Sequence, residues 1–199
     1  MRLIFVLFVL FVLLFSGVSG YSKTVFIRCE PTENGSGGAC GSGFFISKSR
    51  ILTANHVVDS KNFRVEFDNK YFPVKIIKRD KNSDLALLQI DFESDSFYKI
   101  SESSPLINEE VRCKGFPRGI WTRCVSVGKV RKFSKSKHPD SDRFVLQCNV
   151  WMNVIPGMSG GPLLNSNNEV VGVLSTKNMD GTYMGNFISL EEIENFLNE

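Results

Sequence analysis

Apolar and polar residues alternate in short runs along most of the chain. Phe63-Arg64-Val65-Glu66-Phe67 sets apolar against charged side chains with a period of two, as a strand with one face in a core requires. Tyr71 to Ile77, Leu85 to Ile90 and Phe144 to Val150 are further short runs of the same kind. Turn formers interrupt them at Asn34-Gly35, Ser36-Gly37-Gly38 and Asn165 to Asn168. Only the far end changes period: Leu190, Ile193 and Phe196/Leu197 recur at helical spacing and predict a short helix over 189–197. Short strands at close spacing point to an all-β chain built of barrels. A polar, Ser-rich stretch from Glu93 to Leu106 divides the strands, predicting one half over about 21–100 and a second over about 101–188. No internal repeat and no low-complexity tract is present.

The first twenty residues follow another rule. Met1-Arg2-Leu3 leads into an apolar run to Phe15 and then Ser16-Gly17-Val18-Ser19-Gly20. One early positive charge, an apolar core and a small-residue exit describe a signal peptide, with cleavage expected after Ser19 or Gly20. The run is short of the ~20 apolar residues of a spanning helix, and no later segment reaches that length. The expected product is secreted or periplasmic, with no membrane span after signal removal. The alternative is an uncleaved N-terminal anchor. Removal leaves about 179 residues, 21–199, enough for one compact unit with a core.

Charge narrows the partners. The net charge of +3 falls to +2 once Arg2 leaves with the signal, a near balance that argues against a nucleic-acid binder. The one basic cluster, Lys129, Arg131, Lys132, Lys135 and Lys137, runs directly into Asp140 and Asp142 and reads as a solvated hairpin tip. A phosphate- or lipid-binding patch is the other reading. His138 in the same tip reads as exposed. Five cysteines in an exported chain suggest disulfides with one thiol left over. Spacing does not choose the pairing. Cys29–Cys40 across a glycine-rich loop and Cys113–Cys124 across Gly115–Gly119 are the easiest, leaving Cys148 unbridged, and Cys124–Cys148 is a rival.

The candidate chemistry lies in three short segments. Pro156-Gly157-Met158-Ser159-Gly160-Gly161-Pro162 presents a serine on a glycine-built turn, where missing Cβ atoms allow unusual dihedrals and exposed amides. Ile51-Leu52-Thr53-Ala54-Asn55-His56-Val57-Val58 closes an apolar run with a histidine, and Asp84 opens the run Leu85 to Ile90. Singly each is ordinary: a loop, a packed or surface histidine, a strand-edge acid. Together, in the order His56, Asp84, Ser159, they supply a nucleophile, a general base and an orienting carboxylate. The amides of Gly157 and Ser159 then form the oxyanion hole.

On these segments, with Gly43-Phe44-Phe45-Ile46, the chain resembles the trypsin-like serine peptidases, and within them the HtrA/Deg branch. Weaker matches lie at Gly115-Phe116-Pro117-Arg118-Gly119, Val125 to Val130 and Phe144 to Gln147, so the resemblance covers about 35–175. It implies two six-stranded antiparallel β-barrels of the chymotrypsin kind followed by the short helix. His56 and Asp84 then stand on the first barrel and Ser159 on the second, with the site between them. Chain order supports the assignment, because unrelated folds reach the same triad in other orders.

The resemblance also implies details. Digestive relatives carry an aspartate just before the nucleophile, to pair with a new N-terminus, and the HtrA branch usually carries asparagine. Here that residue is Met158, so activation by N-terminal insertion is not expected. The residue six before the nucleophile, often at the base of the specificity pocket, is Asn153, which removes the electrostatic support for a Lys or Arg preference. Leu174-Ser175-Thr176 matches the strand that pairs with substrate backbone. A pocket lined by Val154, Ile155 and Ser175 is expected to take small or medium apolar side chains. The approach Trp151-Met152-Asn153-Val154 is about two residues longer than the HtrA pattern.

The expected function is an exported serine endopeptidase acting on polypeptides through an acyl-enzyme. No cofactor is required. No metal is expected, since His56 and His138 are the only histidines and no zinc-type spacing occurs. The alternatives are a catalytically silent binding protein on the same fold and an esterase using the same triad. A PDZ domain is not expected in this length, and the short stretch before the first motif leans toward a monomer rather than a trimer.

Overall fold

Strand β1 (Thr24–Cys29) pairs with β2 (Cys40–Phe45) and β4 (Phe63–Phe67) at the centre of a sheet that carries the first half of the chain. The computed structural model describes residues 23–29, 40–59, 62–118, 122–137, 143–177 and 183–199. The expected signal segment, the turns at 34–38 and His138 lie outside the described residues. β4 behaves as its alternation requires: Val65 and Phe67 are buried and Arg64 is exposed. The run from Tyr71 to Ile77 is broken at Pro73, which has no N–H for a ladder, into β5 (Lys70–Phe72) and β6 (Val74–Asp80). With β3 (Arg50–Ala54) and β7 (Leu85–Ile90) these form one antiparallel sheet of seven strands, ordered β5-β4-β1-β2-β3-β7-β6.

The second half closes on itself. β8 (Glu110–Gly115), β9 (Cys124–Lys137), β10 (Phe144–Trp151), β11 (Pro162–Leu164), β12 (Val170–Lys177) and β13 (Met184–Ser189) make a closed barrel ordered β10-β13-β12-β11-β8-β9. The all-β fold of two barrel-like halves with a terminal helix is therefore present. It differs from the expectation in one respect: the first half is a seven-stranded sheet whose end strands β5 and β6 are not paired, rather than a closed six-stranded ring. The sheet still surrounds a core, in which Phe72 of β5 and Val74 and Ile76 of β6 pack toward Phe45, Phe67 and Leu88.

β7 explains its own unbroken apolar sequence. Ala86, Leu88 and Ile90 face the core of the first sheet, while Leu85 and Leu87 face a second core shared with Leu164, Val170, Val173 and Ile188 of the barrel. A strand buried on both faces needs no polar side. Each of these Leu and Ile side chains contributes roughly 1.5–3 kcal/mol by burial. The helix α1 (Leu190–Asn198) begins where Ser189 Oγ accepts the Glu192 N–H at 3.4 Å, and adds Ile193 and Phe196 to the shared core. The Ser-rich connection is strapped to both halves: Tyr98 N–H donates to Phe45 O, and Ser101 N–H to Val170 O, each at 2.9 Å.

The cysteine expectations need correction. Cys29, Cys113, Cys124 and Cys148 all carry thiols, so neither Cys29–Cys40 nor Cys113–Cys124 is bridged, and the rival Cys124–Cys148 is not formed either. Cys29 Sγ donates instead to Val57 O at 3.1 Å. In the β8–β9 register Cys113 stands opposite Ser126 and Cys124 opposite Gly115. The two cysteines are thus diagonal neighbours, about 7 Å apart where a disulfide needs Cβ atoms about 4 Å apart. The basic residues Lys129, Arg131, Lys132, Lys135 and Lys137 are all exposed on β9, with the Arg131 guanidinium 5.9 Å from the Trp151 ring centre.

Candidate active site

The end of β3 passes into a single 3₁₀ turn, Asn55–Val58, which lifts His56 out of the sheet with its side chain 36% exposed. Asp84 sits at the head of β7 in the left-handed region, φ +57. Aspartate tolerates that conformation when local hydrogen bonds support it, and here Asn55 N–H donates to Asp84 O at 2.9 Å. The Asp84 side chain is 2% exposed. It accepts from His56 Nδ1 (3.0 Å to Oδ1, 2.9 Å to Oδ2), from the His56 N–H at 2.9 Å and from Ser175 Oγ at 2.5 Å. Burial pushes its pKa up. The His56 side-chain bond, the His56 charge, the Ser175 hydroxyl and the His56 N–H together outweigh burial and hold it below the usual carboxylate range.

Ser159 approaches from the other half. Its turn is possible only with glycine: Gly160 has φ +82, and a Cβ there would lie 2.1 Å from Ser42 O. Gly157 has φ +99, with Phe116 O 2.6 Å from where its Cβ would stand. Ser42 N–H donates to Ser159 O at 2.7 Å, tying the turn to β2. Ser159 Oγ donates to Ser175 O at 3.3 Å. Ser175 therefore touches both sides, its hydroxyl on Asp84 and its carbonyl on Ser159. That places the His56–Asp84 pair and Ser159 around one residue of β12.

The amides of the serine turn divide into two sets. Met158 N–H donates to Ile155 O, Gly160 N–H to Leu174 O and Gly161 N–H to Met158 O, at 3.0, 2.7 and 2.9 Å. The N–H groups of Gly157 and Ser159 have no acceptor among the described residues. Met158 is fully buried in the barrel core with Met152, Val154 and Leu174. An apolar anchor thus occupies the place of an ion-pairing acid.

The expected substrate-binding residues are not all presented alike. Asn153 is exposed and Ile155 is 40% exposed, whereas Val154 and Leu174 are core residues of the barrel. Ser175 is buried with its hydroxyl committed to Asp84, and Thr176 is exposed and accepts from Asn186 Nδ2 at 3.2 Å. The sequence reading placed Ser175 in the pocket and missed both its bond to Asp84 and the position of Ser42. Both are short polar residues in buried strands. The only sign of Ser42 in sequence is its place in Gly41-Ser42-Gly43. Among the described residues no cluster of His, Cys, Asp and Glu is placed to hold a metal.

A sheet with a His–Asp pair, docked on a barrel that presents a serine on a glycine turn, is the arrangement of the double-barrel serine peptidases. The model of the trypsin-like peptidase domain matches residues 41–173, and the chain belongs to that family. It is 34% identical over 170 residues to a probable periplasmic serine endoprotease DegP-like of Marinomonas sp. (strain MWYL1), covering 83% of this chain and 36% of that protein. It is 31% identical over 143 residues to protease Do-like 2, chloroplastic, of Arabidopsis thaliana, covering 67% of this chain and 23% of that one. The chain thus spans about a third or less of the length of these curated relatives. The crystal structure of the Rv3671c protease from M. tuberculosis in its active form has the same fold, with a TM-score of 0.81 at 24% identity over 88% of this chain and 79% of that one.

Proposed function

We propose that the chain is a serine endopeptidase of the HtrA/Deg kind, exported from the cytoplasm and acting on polypeptides. The observation that carries the reading is Ser175, whose two bonds join the His56–Asp84 pair to Ser159 beside two open amides. His56 Nδ1 is committed to Asp84, which assigns Nε2 to proton transfer. Ser159 Oγ gives up its hydrogen bond to Ser175 O, passes its proton to Nε2 and attacks the substrate carbonyl. Asp84 stays ionised and stabilises the imidazolium. The oxyanion accepts from Gly157 and Ser159 N–H, each donor contributing roughly 3–4 kcal/mol in such sites. His56 then protonates the leaving amine, and water hydrolyses the acyl-enzyme by the same steps in reverse.

Substrate is taken by strand addition. β11 pairs with β12 only from Val170 to Val173, which leaves the Ser175–Thr176 edge on that side for an incoming peptide. In this reading Ile155 and Asn153 flank the opening and Val154 and Leu174 form its apolar floor, which the exposure of the first two and the burial of the last two support. Small or medium apolar side chains before the scissile bond fit this lining. Export is supported by the N-terminal apolar segment and by relatives named periplasmic.

The test is labelling of the purified protein with a fluorophosphonate probe, beside Ser159→Ala and His56→Ala, followed by a peptide-library digest. Labelling of the wild type alone, and cleavage after apolar residues, is the expected result. A folded wild type that takes no label would leave a non-catalytic binding protein. Cleavage of esters but not peptides would leave an esterase, and a profile dominated by Lys and Arg would refute the pocket.

A further inference from the structure

We infer that Ser42 is a positioning residue for the oxyanion loop, holding it from the opposite half of the molecule; this rests on the peptidase reading above. Ser42 lies on β2 and is fully buried. Its hydroxyl donates to Gly157 O and accepts from Phe116 N–H, both at 2.9 Å. Its main chain is also committed: the N–H donates to Ser159 O at 2.7 Å, and the carbonyl accepts from Thr53 Oγ1 at 2.7 Å. One residue of the first sheet thus grips the two loop residues that flank Met158.

The Gly157 carbonyl is the grip that matters chemically. It belongs to the peptide that joins Gly157 to Met158, so the Ser42 bond fixes ψ of Gly157. The open Gly157 N–H belongs to the preceding peptide, hinged on the same Cα at φ +99, so Ser42 holds one side of the hinge that aims it. Arg118 N–H holds the preceding carbonyl, Pro156 O, at 2.7 Å. Phe116, Pro117 and Arg118 pack where a Gly157 Cβ would stand. The Ser42 hydroxyl is therefore the hub through which the segment after β8 and the oxyanion loop share one anchor. No acid precedes the nucleophile to do this by an ion pair, since Met158 is buried among apolar side chains. Ser42 acts through Gly157 and does not touch the reacting atoms.

Ser101 supplies a matched control. Its hydroxyl is buried, donates to Ser103 O at 3.0 Å and accepts from Ser103 N–H at 3.3 Å, a donor–acceptor pair of the same kind in the connection between the halves. The experiment measures the rate of fluorophosphonate inactivation, and kcat and KM on a peptide amide, for wild type, Ser42→Ala, Ser42→Cys and Ser101→Ala. Ser42→Ala is expected to slow inactivation and lower kcat by about 10- to 100-fold, with KM changed by less than about twofold. Ser42→Cys, near-isosteric with a weak S–H donor, is expected to fall between Ser42→Ala and wild type, and Ser101→Ala to stay within about twofold of wild type.

A Ser42→Ala rate within about twofold of wild type, or slowed no more than Ser101→Ala, would overturn the inference, as would a Ser42→Cys enzyme as fast as wild type. If Ser42→Ala does not fold, the Ser42→Cys comparison decides alone. Absence of labelling in wild type is the separate outcome in which the peptidase reading fails, and this inference fails with it.

Discussion

The bond between Ser175 and Asp84 gives the sharpest prediction because its dependence on pH is calculable. Ser175 Oγ lies 2.5 Å from Asp84 Oδ2, and both residues are 1% exposed, so water cannot replace the hydroxyl in Ser175→Ala. A hydrogen bond to a buried charge contributes roughly 1.5–3 kcal/mol, which for a chain of this size lowers Tm by about 5–10 °C. Asp84 is held below the usual carboxylate range in the folded state. Its contribution to stability is therefore complete above that range and is lost as pH falls through the folded-state value. Removing the Ser175 donor raises that value toward normal. The cost of Ser175→Ala should be full from about pH 8 to pH 5 and should shrink below about pH 4. Urea unfolding of the variant and its parent, both in a Ser159→Ala background to prevent self-digestion, measures it. A loss equally large on both sides of about pH 4 would mean a packing defect and would refute the charge-assisted bond. A loss below about 0.5 kcal/mol at neutral pH would refute it as well.

Three further outcomes are expected. Asp84→Asn keeps the shape of the site but removes the charge and favours the wrong histidine tautomer, so kcat should fall by about 10⁴-fold; an active variant in a peptide assay would remove Asp84 from the mechanism. Met158→Ala empties a fully buried position in the barrel core and should cost about 2–4 kcal/mol by urea unfolding, with slower fluorophosphonate labelling of the folded fraction; a neutral result would mean that Met158 does not anchor the loop. Alkylation followed by peptide mapping should find Cys124, which is partly exposed, modified in the native protein. Buried Cys29, Cys113 and Cys148 should react only on unfolding, since burial pushes the thiols of Cys113 and Cys148 up, Cys148 to about 12.

The sequence carried the local features well and the crossings poorly. The period of β4 and the helical spacing of Leu190, Ile193 and Phe196 are properties of single segments, and each appears in the fold where its pattern implies. Leu85–Ile90, by contrast, was read as a half-buried strand like β4 and is buried on both faces. The order His56, Asp84, Ser159 was legible because each sits at a punctuation point, a strand end or a glycine turn. The open first sheet was not legible, because whether β5 and β6 pair with each other is settled by the curvature of five intervening strands. Ser175 was assigned to the pocket because strand period says nothing about which polar residue opposite can use its hydroxyl. The cysteine pairings failed for a related reason: closeness in sequence across a loop does not set register, and the register puts Cys113 beside Ser126.

The features that spacing could not supply share one location. Asp84 meets Ser175 across the boundary between the halves, and Ser42 meets Gly157, Ser159 and Phe116 across the same boundary. The apolar core formed by Leu85 and Leu87 with Leu164, Val170 and Val173 lies directly behind them. Neither half holds the whole of the proposed site: the first has His56 and Asp84, and the second has Ser159 and the open amides of its turn. The energy that docks the halves is mostly apolar and non-directional, so by itself it would allow many relative placements. The short polar bonds of Ser42 and Ser175 each require one. A partner lost from either would leave a buried carbonyl, amide or carboxylate unsatisfied, which makes small displacements of one half against the other unfavourable. In this reading the same few hydroxyls that fix how the two halves dock also fix the distances on which acyl transfer depends.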